Sequence, residues 1–318
     1  MQPIVSIIIP TYNRAHLIGE TLDSVLAQTY ENWECVVVDD GSIDATDELL
    51  GFYCERDSRI QYHHRPKDLF KGANACRNYG FELSKGEYIQ WFDSDDVMHP
   101  YKLVDQVKSI EASSVTLSVC QAQIFTSSFK MPSVLPPKEI NSINPFTDYL
   151  QNKIFWMTPS ILWKRNFLLG LDGLYDVNLK AAQEWEFHTR LLSKSPDYII
   201  VDRSLVYIRD HEENITKDFD VQNIQWNYFL ARMKIYKKLR PFLNNEEKQY
   251  LLAYFFNNYK LSLRTNRMKL ATRILVKYIL KDRDLSLLTK LRFTLAFFSF
   301  GFFEKGNVFL KELNPPKI

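Results

Sequence analysis

Apolar positions along this chain alternate between two periods. Ile4-Val5-Ser6-Ile7-Ile8-Ile9 is a nearly continuous β-branched run, the pattern of a strand covered on both faces, as in parallel sheets. From Arg14 to Gln28, Ile18, Leu22, Val25 and Leu26 form one helical stripe, with Asn13 placed to cap it. The unit then repeats. Glu34 to Val38 reads as a second buried strand, Asp39 to Ser42 as a turn, and Ala45 to Tyr53 as a short helix behind Asp44. A weaker strand is expected over Arg59 to His63, and a third helix over Ala73 to Ser84, with Gly86 placed to end it. Tyr88 to Phe92 is another strand, closed by Asp93-Ser94-Asp95-Asp96. Residues 115 to 170 mix short apolar runs with Pro-containing loops and give no clear period.

Strands alternating with helices of this length predict an α/β fold with a parallel sheet and right-handed crossovers. Ligands then belong at the carboxyl ends of the strands. Three polar clusters fall there: Thr11 to Arg14, Asp39-Asp40, and Asp93 to Asp96. The last has the oxygen ligands and spacing that a hard divalent cation takes, with positions open for diphosphate, although surface turns also use Asp and Ser. A carboxylate at Asp39-Asp40 could accept a hydrogen bond from a uracil or thymine imide, or simply close a turn. Arg77 is either a solvated helix residue or a base or phosphate contact. Glu184, beside Trp185, is either a general base with its pKa raised by an apolar neighbour or one of two acids, with Glu186, on an exposed helix face. His211 is ambiguous by itself, and His16, His63, His64 and His99 lack ligand spacing.

Charge changes the picture of the whole. The 318 residues carry a net +2, but residues 221–318 hold 19 Lys+Arg against 6 Asp+Glu, which leaves 21 against 32 for residues 1–220. The two parts therefore face different partners, a boundary is expected near 220, and an acidic first part argues against nucleic acid. The first residues have no basic n-region and too short an apolar run for a secretory signal or a membrane span, so a cytoplasmic protein is expected. Cys35, Cys54, Cys76 and Cys120 have no zinc or disulfide spacing and fit reduced thiols. No GxGxxG follows the first strand and no GxxxxGK[ST] occurs, which excludes the two best-known phosphate cradles.

Taken together, Val5 to Arg14, Val38 to Ser42, Gly72 to Gly80, Lys85 to Tyr88 and Phe92 to Asp96 resemble the inverting family 2 glycosyltransferases of the GT-A fold. The resemblance continues through Thr158-Pro159-Ser160, Gly170 to Asp176, Gln183-Glu184-Trp185, Arg190 and Arg209-Asp210-His211, and stops short of the last hundred residues. It implies a GT-A domain over 1–220 with a mostly parallel sheet flanked by helices, while residues 221–318, rich in aromatic and basic residues, read as helical by their own pattern. The resemblance also implies Mg²⁺- or Mn²⁺-dependent transfer from a nucleotide-diphosphate sugar, most often a UDP-sugar, with inversion at the anomeric carbon; the expected acceptor is a hydroxyl of a glycan or lipid-linked molecule in surface glycan assembly. By motif position Thr11, Tyr12 and Asp40 should hold base and ribose, with Asp39 beside them and Arg77 near the nucleotide. Asp95 and Asp96 should hold ribose and metal, Asp93 support them, and His211 approach the metal or diphosphate. Glu184 should be the base. Here the chain departs from the family, which has an acid followed by Asp where this chain has Gln183-Glu184. Two rivals stand beside this reading: nucleotidyl transfer onto a sugar phosphate, and a degenerate transferase domain acting as a nucleotide-sugar or glycan binding module.

In the basic region Lys269, Arg273, Lys277 and Lys281 recur every four residues beside an apolar side of Leu270, Ile274, Leu275, Tyr278 and Ile279. This pattern suits an anionic membrane surface, or else helices that pack on one another as a second core. The aromatic run from Leu291 to Phe303 is too short to span a bilayer and could lie in its interface.

Overall fold

A computed structural model describes residues 2–126, 139–195, 197–210, 221–282 and 285–303. The chain divides into two compact units, Met1–Asp218 and Phe219–Ile318.

The first unit opens with three turns of strand and helix. They are β1 (Val5–Thr11), α1 (Ala15–Leu26), β2 (Trp33–Asp39), α2 (Thr46–Arg56), β3 (Ile60–His64), α3 (Ala73–Leu83) and β4 (Tyr88–Trp91). β5 (Val97–Met98), α4 (Lys102–Glu111), β6 (Leu117–Thr126), α5 (Pro145–Leu150), β7 (Ile161–Lys164), α6 (Arg165–Leu169), α7 (Gln183–Leu192) and β8 (Ile199–Asp210) follow. The strands form one sheet in the order β3-β2-β1-β4-β7-β6-β8-β5. β1 through β4 pair in parallel, whereas β7 runs antiparallel to β4 and β6, β6 and β8 pair in parallel, and β5 is antiparallel to β8.

Local chemistry explains the first half. Every residue of β1 is buried, which is why its apolar run is unbroken. α3 approaches so closely that a Cβ at Gly80 would collide with Ile8 and lie 3.3 Å from Val38. Two expected caps are made differently. The α1 N-cap is Arg14, and Asn13 instead adopts φ 51°, a left-handed conformation that Asn tolerates, and accepts the Ile43 N–H at 2.8 Å. Gly86 does not end α3, whose C-cap is Ser84. It lets the chain cross β1, where any Cβ would meet Ser6 and the Ile4 carbonyl at 2.5 to 2.7 Å.

The second unit is helical: α8 (Val221–Leu239), α9 (Asn245–Arg264), α10 (Met268–Lys277) and α11 (Leu287–Phe303). Asn244 and Glu247 close a reciprocal capping box at the start of α9. Leu270, Ile274, Leu275, Tyr278 and Ile279 are all buried, with Phe229, Phe255, Phe256, Tyr259 and Phe293 also in the interior of this unit. The apolar side of the basic helix is thus core. Among the described residues no helix is long and apolar enough to cross a membrane.

Candidate active site

The parallel half of the sheet delivers Thr11, Asp39 and Asp40 to the carboxyl ends of adjacent strands, because β1 and β2 pair with Thr11 opposite Asp39. The Thr11 hydroxyl is buried without a protein partner. Tyr12 is half-exposed, with the Lys71 ammonium 4.5 Å over its ring. Asp39 is fully buried, and its Oδ1 accepts the N–H groups of Gly41 at 2.5 Å and Ser42 at 2.6 Å. It therefore shapes the turn. Asp40, beside it, pairs with Arg65 at 2.5 Å. Arg65 stands just past the end of β3, and its guanidinium also donates to the carbonyls of Pro66 at 2.8 Å and Leu69 at 2.6 Å.

The acids after β4 have different partners. Asp93 accepts from Arg77 Nη2 at 2.6 Å. Burial works against the Arg77 charge, and Asp93 more than offsets that, so the guanidinium sits above its ordinary pKa. Asp95 lies 3.9 Å from Arg14, and its carbonyl accepts from Arg209 Nε at 2.9 Å. Asp96 is buried and accepts the Arg209 backbone N–H at 3.0 Å. Its carboxyl is raised well above the ordinary range, first by burial and then by the charges of Asp95 and Asp93.

Across from this turn stands Glu184, in the first turn of α7. The preceding Ala182 is left-handed at φ 59°, a conformation that a non-Gly residue rarely adopts and that swings α7 in behind it. Glu184 Oε1 accepts the Thr158 N–H at 3.1 Å. Burial raises its pKa, hydrogen bonding from Thr158 opposes this, and Asp93 raises it further. It is close enough to Asp93, Asp96 and Arg77 for their charges to act on one another. Glu186 is not its exposed twin. It is buried, and pairs with Arg190 at 3.0 Å, which in turn binds the Gly173 carbonyl at 2.7 Å. The Gln183 Oε1 is buried without a protein partner. Tyr175, within 5.3 Å of the Arg77 guanidinium and bonded to Thr158 at 3.3 Å, completes the wall. His211 lies outside the described residues.

Among the described residues no group of three or more His, Cys, Asp or Glu side chains is arranged as a complete cation site. The donor chemistry at Asp95 and Asp96 nevertheless fits a hard divalent cation. Their oxygens are of the right kind, and a buried Asp96 beside two other acids ionises readily only against added positive charge. Asp93 is committed to Arg77.

The glycosyl transferase family 2 model matches residues 6–164, half of the chain. The chain belongs to that family. It is an inverting glycosyltransferase with the GT-A fold. The putative colanic acid biosynthesis glycosyl transferase WcaA of Escherichia coli is 28% identical over 283 residues, 85% of this chain and 94% of the relative. Other curated relatives are longer, and the chain spans 39% of one Rickettsia glycosyltransferase and 16% of another. S. aureus TarS 1-349 in complex with UDP-GlcNAc shares the fold with a TM-score of 0.63, at 20% identity over 98% of this chain and 83% of that one. The mannosyltransferase PcManGT of Pyrobaculum calidifontis, in complex with GDP-Man and Mn²⁺, gives 0.58 at 17% identity over 98% and 86%.

Tyr175 and Arg65 were not foreseen from the sequence. Arg65 had one usable signal, a basic residue directly after a strand that ends at the ligand edge. Tyr175 stood inside the matched segment Gly170 to Asp176 but was given no role there, and it is Asn78 that places it, by exchanging hydrogen bonds with its backbone from α3 at 2.9 and 3.0 Å.

Proposed function

We propose that this glycosyltransferase takes its sugar from a UDP-sugar and transfers it to a hydroxyl of a glycan or lipid-linked acceptor, with Glu184 as general base and Mg²⁺ or Mn²⁺ at Asp95 and Asp96. The observation that carries this is the convergence of a raised carboxyl at Glu184 with the acid turn, from segments about ninety residues apart in sequence. The unpartnered hydroxyl of Thr11 and the half-exposed Tyr12 ring, next to Asp40, offer a place for base and ribose. Asp39 acts there through the turn it holds. That TarS binds UDP-GlcNAc supports the uridine donor, and the PcManGT complex with Mn²⁺ supports the metal. The relation to a colanic acid transferase supports a place in surface polysaccharide assembly. Cys35, Cys54, Cys76 and Cys120 are free, in keeping with a reducing cytoplasm.

A divalent cation, when bound, would neutralise charge growing on the departing diphosphate. The protein's own groups then act as follows. Glu184, its carboxylate oriented by the Thr158 N–H, accepts the proton of the acceptor hydroxyl as that oxygen attacks the anomeric carbon from the face opposite the leaving group. One attack with one base inverts the configuration. Because the Glu184 pKa is raised, its conjugate acid is weaker and the base correspondingly stronger than an exposed Glu.

A panel of nucleotide sugars, scored for metal-dependent thermal shift and slow release of nucleoside diphosphate, identifies the donor. With that donor, Glu184→Gln should bind normally and lose about 10²- to 10⁴-fold in turnover. Transfer at the wild-type rate would place the base elsewhere, and donor binding without turnover in the wild type would favour the binding-module reading.

A further inference from the structure

The aromatic helix α11 carries an apolar face that is largely exposed among the described residues. Leu287, Leu288, Leu291, Leu295, Phe298 and Phe302 are each 43 to 84% exposed. At a helical rotation of about 100° per residue these six fall within a single arc of about 100°, and the stripe runs for about 23 Å. No charged position lies inside that arc among the described residues. Lys290 and Arg292 flank it on either side, while Phe293 and Ala296, which point the opposite way, are fully buried. The core of the unit is closed without the stripe, since α8, α9 and α10 already bury Phe229, Phe255, Tyr259, Ile274 and Tyr278 against one another and Phe293.

The rest of the unit shows what would cover such a face. Lys269, Arg273, Lys277 and Lys281 are all exposed, with Val276 and Leu280 exposed among them, and the segment from 221 on carries 19 basic residues against 6 acidic ones. A second copy laid on the stripe would bring two strongly cationic surfaces together. An anionic bilayer complements both features, taking the apolar stripe into the headgroup and acyl boundary and the cations at the headgroups.

We propose that α11 lies along an anionic membrane surface, with Leu287, Leu288, Leu291, Leu295, Phe298 and Phe302 as the inserted face and the exposed cations of the second unit as the electrostatic anchor. This changes which element meets the lipid: the apolar side of α10 is core, and α10 contributes charge. The proposal is independent of the donor and base assignments, because vesicle binding and nucleotide release are read separately.

The test is co-sedimentation of the full chain with vesicles of phosphatidylcholine alone and of phosphatidylcholine with about one-third phosphatidylglycerol. Binding should rise with anionic lipid and fall as salt screens the cations. Leu291→Glu with Phe298→Glu should weaken it roughly tenfold or more, and the Gln replacements of Lys269, Arg273, Lys277 and Lys281 should remove the preference for anionic lipid, both with nucleotide release in solution unchanged. Phe298→Trp supplies a measurement that keeps the face apolar: its emission should shift to the blue and be quenched by brominated lipid. Wild-type indifference to anionic vesicles, binding that ignores the Glu changes, or a Trp that stays in water would overturn the proposal. So would a lipid-free dimer abolished by the Glu changes, which would assign the stripe to a second copy.

Discussion

Asp93→Asn isolates the ion pair behind the acid turn. Arg77 is 7% exposed on its side chain, and Asp93 Oδ1 accepts from it at 2.6 Å. Without that charge the guanidinium keeps a weak hydrogen bond to Asn74 Oδ1 at 3.3 Å and the Tyr175 ring at 5.3 Å, while its Nε is already unpartnered. Removing one member of a fully buried pair costs about 3 to 5 kcal/mol, chiefly as the desolvation of the charge left behind. The Asp93 side chain is 31% exposed, so solvent screens part of the attraction. We expect about 2 to 3 kcal/mol, which for a unit of this size lowers the melting temperature by roughly 4 to 12 °C. The measurement is calorimetric unfolding in chelator, run as a cycle with Arg77→Met, which removes the guanidinium. The double variant should recover most of the loss, because no buried cation then remains without its counter-charge. An Asn variant within about 0.5 kcal/mol of wild type, or a cycle that is simply additive, would show that Asp93 is not the counter-charge that stabilises the buried Arg77 guanidinium.

Two further outcomes follow from buried groups. Asp96→Asn should abolish Mn²⁺-dependent UDP binding in titration calorimetry without destabilising the metal-free protein, because the amide places no charge in the buried position; metal-dependent affinity equal to wild type would remove Asp96 from the cation site. His188 is buried, bonded to Tyr149 at 2.8 Å, and its pKa is lowered to about 3 by burial and then by Arg77. Between about pH 6.5 and 3 the unfolded chain binds the proton and the folded one does not, so stability falls as pH drops through this window, by up to about 1.4 kcal/mol per unit. Urea unfolding at several pH values should show a shallower acid slope for His188→Asn, and parallel slopes would contradict the assignment.

The chain's hydrophobic period was enough to place β1, β2, β4, α1 and α3, because a strand covered on both faces must be apolar throughout and a surface helix must be apolar on one side. The rule that parallel sheets bind at their carboxyl ends then marked Thr11, Asp40 and Asp96 as neighbours, and the motif resemblance supplied the family. The antiparallel half of the sheet was not legible. β5 and β7 are too short for a period, and β8 is mostly half-buried or exposed. Nor could spacing show how charges are matched. Arg77 meets Asp93, Arg65 meets Asp40 and Arg190 meets Glu186 only where the fold brings them within hydrogen-bond distance, so Asp93 and Asp40 turned out to be paired where the sequence offered only clusters of acids. The same limit governs the basic helices. An apolar stripe in a sequence says that a face wants cover, and its composition cannot say whether another helix provides it. The stripe of α10 is buried and that of α11 is exposed, a difference decided by packing, because the helix core of the second unit closes over one and leaves the other in solvent.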